Sequence, residues 1–263
     1  MRFKLFILLP VILLSYASVS AQANASMEAS VNLGFTSFQT DYGEDGNFKS
    51  SFTGNMGYAV GGSLYVNFFN TNPSVAGYPN WLQKHLKLKL EVSYLSAKLE
   101  HFGDNVGDRD HMKGLASVIN FGTVLEYHPF VLPDFVPGIR KKLTPYVGFG
   151  VMGTFAMPKV ETNQSSLIKA YQIGDDGFKH ADDAPVFTYS LMPSGGLRYQ
   201  LDNGNAIMMD MRWQYFGSDF IDGLSPNNDV IDGANKHNDW LYYFNVGYVI
   251  KFGENARSST WGN

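Results

Sequence analysis

Four histidines lie in acidic, glycine-containing stretches of the chain and could take part in acid–base chemistry. They are His101, His111, His180 and His237. Nucleophilic hydrolysis would need a serine hydroxyl beside one histidine and a carboxylate on its other side. The nearby carboxylates are Asp108, Asp110 and Asp182. No serine is spaced to these residues in a way that requires a triad. The sequence therefore favours solvated histidines, and we expect no catalytic residues.

Two further patterns could bind or bury polar groups. The pair "DFIDG" and "DVIDG", residues 219–223 and 229–233, offers oxygen atoms that could coordinate Ca²⁺. It lacks dense alternating ligands, so turn formation by Asp-Gly explains it more simply, and we expect no metal or cofactor site. His85 is expected to point inward towards a carboxylate or water, and His128 lies beside Pro129 at a turn.

The first 21 residues have the features of a secretory signal peptide. Arg2 and Lys4 precede an apolar run from Leu5 to Leu14, and Ala21 ends a small-residue cleavage pattern. The run is shorter than the roughly 20 residues that a membrane-spanning helix needs. We therefore expect cleavage before residue 22 and export of the mature chain. The chain has no cysteine, so export is not accompanied by disulfides or by a lipid-modified cysteine.

The composition excludes some classes of protein. Removing 21 residues from 263 leaves 242, with 24 acidic and 18 basic residues and a net charge of −6. A nucleic-acid-binding protein would be basic. Aromatic residues make up 15% of the chain, yet no mature segment has 18 consecutive apolar residues. These features leave a large soluble all-β domain or a membrane β-barrel.

Eight segments alternate apolar and polar residues with the period of a β-strand. They are 28–35, 60–68, 85–94, 119–127, 144–155, 187–200, 207–215 and 243–252. The connections at 40–57, 98–116, 157–184 and 217–239 look long, and those at 70–84, 129–142 and 201–205 look shorter. An even strand number with this asymmetry is typical of outer-membrane barrels with both termini in the periplasm. We predict an all-β, eight-stranded, antiparallel up-and-down transmembrane barrel at 22–252, with a periplasmic tail at 253–263.

Aromatic residues lie at both ends of the apolar faces, as expected of two interfacial girdles. The inner girdle would contain Phe68, Tyr127, Tyr199 and Phe252. The outer girdle would contain Phe35, Tyr58, Tyr94, Phe155, Phe187, Tyr215 and Tyr242. The apolar faces between the girdles would contact outer-membrane lipid.

The opposite faces carry charges of both signs. The predicted inward charges are Lys87, Lys89, Glu91, Glu126, Arg198, Asp210, Arg212 and Lys251. Eight strands leave an interior that side chains can fill, and isolated charges there would be very costly. A salt-bridged, filled lumen is therefore favoured over a narrow solute channel, which would need a continuous polar path.

The last strand carries a possible assembly signal. The spacing of four of its residues resembles the β-signal recognised by the barrel-assembly machinery; these are Asn245, Gly247, Ile250 and Phe252. Unlike a typical β-signal, it does not end the chain, since eleven residues follow Phe252. The machinery is therefore an expected partner of this strand.

The chain resembles the small bacterial outer-membrane barrels that include PorG, a component of the type IX secretion system. The resemblance lies in "RWQYFGSDFIDGLSP", "NDWLYYFNVGYVIKF" and "TPYVGFGV". The 163–183 loop is longer than expected for PorG, which favours a paralogue. The resemblance implies a non-enzymatic scaffold with periplasmic lipoproteins or secretion components as partners. A lipid-modifying enzyme and a narrow channel are the alternatives.

The turn "VLPDFVPGIRKK" is a candidate docking surface for an acidic periplasmic partner. Phe135 and Val136 would form a small apolar surface beside the basic residues Arg140, Lys141 and Lys142. The simpler alternative is a proline-stiffened turn with solvated basic side chains.

Overall fold

The computed structural model describes residues 27–40, 42, 52–67, 81–100, 112–132, 142–162, 183–224 and 239–252. The strands in these ranges are β1 (Met27–Gln39), β2 (Met56–Asn67), β3 (Leu86–Glu100), β4 (Met112–Tyr127), β5 (Leu143–Ala156), β6 (Lys159–Thr162), β7 (Val186–Gln200), β8 (Ala206–Phe216) and β9 (Trp240–Phe252). A five-residue helix, α1 (Trp81–His85), precedes β3. Within the described ranges no helix is long and apolar enough to cross a membrane. The expected signal peptide and tail lie outside them.

The strands close into an eight-stranded barrel, which confirms the predicted fold class. Every pairing is antiparallel, β1 pairs with β9, and β3 pairs with both β2 and β4. β5 and β6 pair with β4 in one register, so they act as a single barrel strand. Pro158 separates them because it has no amide hydrogen for the ladder, while the amide of Met157 still donates to the carbonyl of Ser117.

The pairing register fixes the stagger of the barrel. Each residue can be followed to its Cα partner on the next strand until the path has gone once around the barrel. Starting at Ala29 on β1, this path passes through Leu64, Leu90, Thr123, Val151, Leu191, Tyr215 and Trp240 and returns to β1 at Gln39. Gln39 is ten residues from Ala29, so the stagger of the barrel is ten residues. With a rise of ~3.3 Å per residue and ~4.8 Å between strands, this stagger gives a strand tilt of about 40°.

Side chains alternate between the outside and the interior as the sequence predicts. On β8, for example, Met209, Met211 and Trp213 are exposed, whereas Asp210 and Arg212 are buried. All eight charged residues predicted to point inward lie on the interior face. Small residues make room there, since a side chain on Gly196 would approach within 2.6 Å of the Tyr146 ring.

The predicted contrast between long and short connections is wrong for the first half of the chain. β3 and β4 extend further than expected and pair up to Glu100 and Lys113, so only residues 101–111 connect them. The connection at 68–85 is longer than this and contains α1. β6 occupies part of the predicted 157–184 loop. The contrast holds for the last connections, where 201–205 is much shorter than 217–239.

The barrel has two different ends. Met27 pairs with Phe252 at the end where the first and last strands terminate, which we call the termini end; the other is the loop end. Along β3 the alternation inverts between them. From Leu86 to Tyr94 the outward residues are apolar or aromatic, but the outward residues Ser96, Lys98 and Glu100 are polar. The inward residues change from charged to apolar at Leu95.

Candidate functional site

The described interior is filled by four layers of side chains. From the termini end these are the mouth layer (Glu28, Lys87 and Arg198), the central cluster (Lys89, Glu91, Glu126, Asp210 and Arg212), the amide layer (Asn120, Thr154, Ser190 and Gln214) and an apolar loop-end core. The ionic layers therefore lie towards the termini end and the largest apolar core lies at the loop end, while two smaller buried apolar clusters that contain Met208 and Met192 lie among the ionic layers.

Lys89 is the centre of the central cluster. Its Nζ lies 3.3 Å from Glu91, 3.2 Å from Glu126 and 3.6 Å from Asp210. Arg212 pairs with Glu91 and lies 2.6 Å from Asp210. Two cations thus face three carboxylates, and all five side chains are almost completely buried. Such mutual pairing lets charges remain in a dry interior, and it confirms the predicted salt-bridged lumen.

The mouth layer joins three strands through one carboxylate. Glu28 accepts hydrogen bonds from Lys87 Nζ at 3.0 and 3.2 Å and from Arg198 Nη2 at 2.6 Å. The guanidinium of Arg198 also lies over the Tyr65 ring, 5.4 Å from its centroid. Glu28 was not among the charged residues predicted to point into the lumen. Its position on the polar face of β1 could have identified it.

A cavity of about 30 Å³ adjoins the mouth layer. Its walls carry Glu28, Lys87, His128, Thr144, Arg198 and Gln200, with Leu132, Gly204 and Ala206 completing them. A cavity of this size can hold more than one water molecule. Its lining includes the cationic hydrogen-bond donors of Lys87 and Arg198.

The amide layer is a closed network of neutral groups. Asn120 and Gln214 exchange two amide hydrogen bonds, at 3.1 and 3.0 Å. Thr154 donates to Asn120 at 2.8 Å, and Gln214 donates to Ser190 at 2.7 Å. Because these polar groups satisfy one another, the layer needs no solvent.

The loop-end core resembles the interior of a soluble protein. Its buried members are Phe38, Tyr42, Ala59, Leu95, Ala97, Leu99, Ala116, Val118, Ala156, Phe216, Ile221, Leu224, Leu241 and Tyr243. Residues 217–224 follow β8 and bring Ile221 and Leu224 onto the end of the lumen. Asp222 supports this segment by accepting a hydrogen bond from the amide of Leu224 at 2.8 Å. The sequence did not predict this core.

Side chains also close the strand edges at the loop end. Buried Asn55 accepts from the amide of Glu100 at 3.2 Å through its side chain, and its Nδ2 donates to the carbonyl of Tyr42 at 3.0 Å. Asp183 accepts from the amide of Val160 in β6 at 2.8 Å. Occupied edge amides of this kind oppose pairing with another chain.

The two described histidines lie at the termini end. His85 ends α1, and its Nδ1 lies 2.7 Å from the carbonyl of His128, so this backbone group takes the place of the predicted lumen carboxylate. The ring of His128 is buried, and its Nε2 lies 3.6 Å from Glu126. Burial lowers the pKa of His128, which favours the neutral imidazole.

The remaining polar candidates are only partly described. The histidines at 101, 111, 180 and 237, the carboxylates at 108, 110 and 182, and the "DVIDG" stretch lie outside the described residues. In the part of the chain that the structure covers, no three His, Asp or Glu side chains come together to form a possible metal site. In "DFIDG", the side chain of Asp222 accepts a hydrogen bond from the amide of Leu224, as expected if this stretch forms a turn and does not bind Ca²⁺.

The outer surface carries an apolar belt with aromatic residues near both rims. Tyr199 and Phe252 are exposed at the termini end, and Phe35, Tyr58 and Phe187 are exposed towards the loop end. Phe68, the other girdle position at the inner end of β2, lies outside the described residues. The structure adds Trp81, which is exposed and whose ring centroid lies 5.7 Å from that of Tyr127.

The chain matches no family model and no curated protein. Solved structures similar to it include Neisserial surface protein A (NspA), at 12% identity and a TM-score of 0.46, covering 87% of this chain and 99% of that one. A major outer membrane protein from Thermus thermophilus has 13% identity and a TM-score of 0.46, and the match covers 87% of this chain and 99% of that one. The outer membrane enzyme PagL has 11% identity and a TM-score of 0.36, and the match covers 85% of this chain and 98% of that one. These similarities are too low to transfer a function.

Proposed function

We propose that the protein spans the bacterial outer membrane, with both termini in the periplasm, and acts as a structural or interaction component. The observation that carries this proposal is the combination of an apolar outer belt with a filled interior. In a soluble protein, exposed residues such as Val31, Val147 and Met211 would form an aggregation-prone surface. In a membrane they face lipid, while the backbone groups are paired around the closed barrel.

The filled interior argues against the channel alternative. Lys89 and Arg212 have almost no exposed surface, and the amide layer and loop-end core lie between them and the loop end. A solute would have to break the central ion pairs and then displace apolar side chains. Eight-stranded barrels are also narrow enough for side chains to fill.

The enzyme alternative finds little support in the described residues. Within them, His85 bonds to a backbone carbonyl and His128 contacts Glu126, and neither ring bonds to a serine hydroxyl. We therefore propose a non-enzymatic role. Association with type IX secretion, and with periplasmic lipoproteins, is proposed from the sequence resemblance.

A hydrogen-bonded surface formed by α1 and the turn after β4 at the termini end supports docking of a periplasmic partner. The amide of His128 donates to the carbonyl of His85 at 2.7 Å, and the amide of Leu132 donates to the carbonyl of Lys84 at 3.0 Å. These bonds join α1 to the turn after β4. Trp81, Phe130 and Val131 present exposed apolar surface there. A preformed surface loses little conformational entropy on binding, and the basic residues 140–142 follow it in sequence.

Replacing Arg140, Lys141 and Lys142 with serine is expected to reduce partner recovery after crosslinking in intact membranes. The basic residues would attract an acidic partner, so their loss weakens the encounter. Barrel assembly should be unchanged, as shown by a mobility difference between boiled and unboiled protein on a gel. If recovery is unchanged and falls only when residues 163–182 are deleted, the partner binds the opposite end and the periplasmic scaffold proposal fails.

Replacing Leu90 with arginine tests the membrane placement of the belt. Leu90 points outward at mid-belt and is 38% exposed. We expect this change to lower the free energy of unfolding in lipid vesicles by ~2–4 kcal/mol, because the charge would lie near the bilayer midplane. The matched control is Leu143→Arg at the termini-end rim, which should cost only ~0–1 kcal/mol. Equal costs at the two positions would contradict the proposed depth.

A further inference from the structure

Within the described residues, the cavity beside the mouth layer contains more hydrogen-bond donors than the carboxylate of Glu28 uses. Glu28 is the one acidic residue among the described residues that line it, whereas Lys87 and Arg198 are both cationic. Arg198 has five N–H groups, and one of them, on Nη2, donates to Glu28. Lys87 donates to the same carboxylate. The two cations and one carboxylate give the described lining side chains a net charge of +1, and the carboxylate of Glu126 lies outside this lining, 3.6 Å from His128 Nε2.

Other polar groups that line the cavity are incompletely satisfied. His128 has no exposed surface, and neither ring nitrogen makes a hydrogen bond in the described structure, although its Nε2 lies 3.6 Å from Glu126. A neutral imidazole carries one N–H donor and one acceptor. Thr144 and Gln200 add a hydroxyl and an amide to the same space. Buried polar groups without partners are costly, so an acceptor-rich occupant would stabilise this arrangement.

We propose that this cavity is a binding site for a single carboxylate group presented from the termini end. The volume of about 30 Å³ suits a group of this size. A planar guanidinium such as that of Arg198 can bind a carboxylate through two parallel N–H groups. Lys87 supplies the second positive charge. The carboxylate could belong to a small free acid or to the C-terminus of a peptide, since both offer the same atoms.

The site does not depend on the scaffold proposal, because it needs no protein partner. It can be tested with refolded full-length protein in detergent micelles, titrated with sodium acetate. Sodium chloride at the same ionic strength is the reference. The amide NMR signals of Thr144, Gln200 and Gly204 report on the cavity walls. We expect saturable shifts with acetate that chloride does not produce.

Variants assign the binding to the cavity. Arg198→Met should weaken acetate binding by about tenfold or more, because it removes charge-assisted hydrogen bonds. Glu28 keeps Lys87 as a partner in this variant. Arg198→Lys should bind with intermediate affinity, because it retains the charge without the guanidinium fork. The control Lys113→Met removes an exposed charge at the loop end, far from the cavity, and it should bind acetate as the wild type does. Altered gel mobility on boiling verifies that each variant folds.

A pair of short peptides distinguishes the two sources of carboxylate. Binding of a peptide with a free C-terminus, but not of its amidated form, would identify a chain-terminal carboxylate. Binding of acetate alone would identify a small free acid. Equal shifts with acetate and chloride, measurable and equal binding of the free and amidated peptides, or undiminished acetate binding to folded Arg198→Met or Arg198→Lys would overturn the proposal and leave water as the occupant.

Discussion

Replacing Lys89 with methionine is expected to lower the free energy of unfolding by about 3–5 kcal/mol, because it removes one partner from a buried ionic cluster. Arg212 remains to pair with Glu91 and Asp210. Glu126 would lose its cation at 3.2 Å and keep only the contact with neutral His128 at 3.6 Å. The change can be measured by denaturant unfolding in lipid vesicles.

A second substitution separates this electrostatic effect from a packing effect. Glu126→Gln in the Lys89→Met background removes the unpaired charge while keeping the size of the side chain. The double variant should therefore recover part of the lost stability, with a coupling energy in the range of ~0.5–3 kcal/mol. If the two single effects simply add, Lys89 does not act through Glu126.

Replacing Phe38 with alanine should destabilise the protein by ~3–5 kcal/mol, because it opens a cavity in the loop-end core. Phe38 has no exposed surface and lies on the interior face of β1. The matched control is Phe35→Ala on the outward face of the same strand. Phe35 stacks on Phe244 at 5.3 Å, and its loss should cost about 1 kcal/mol because lipid can fill the space. Similar costs for the two variants would mean that the loop-end core is not a packed unit.

The sequence was sufficient to predict the inward direction of the eight charged residues expected in the lumen, because strand periodicity is local. The interior face of β8 follows from the alternation of Met208, Asp210, Arg212 and Gln214 with larger apolar residues. The partners of these residues could not be predicted in the same way. Glu28 and Arg198 are 170 positions apart in the chain, and only the closure of the barrel and its stagger bring them together.

The loop-end core was missed for a physical reason. Predicting a membrane barrel means expecting apolar residues outside and polar residues inside. Beyond Tyr94 the outward residues become polar and the inward ones apolar, as in a water-soluble sheet, so residues 98–100 looked like loop. The short α1 was missed because the alternation of β3 extends back to His85, whose bond to the carbonyl of His128 reflects the tertiary structure.

The point at which the alternation of β3 inverts makes the apolar belt unequal around the barrel. The apolar outward faces run from Leu86 to Tyr94 on β3 and from Ile119 to Tyr127 on β4, whereas the outward face of β9 remains aromatic or apolar from Trp240 to Phe252. At a tilt of about 40°, the spans on β3 and β4 are about 20 Å tall and the span on β9 is about 30 Å tall. A typical bilayer has a hydrocarbon core of ~30 Å. In such a bilayer the lipid beside β3 and β4 would have to become thinner, while the lipid beside β9 would not.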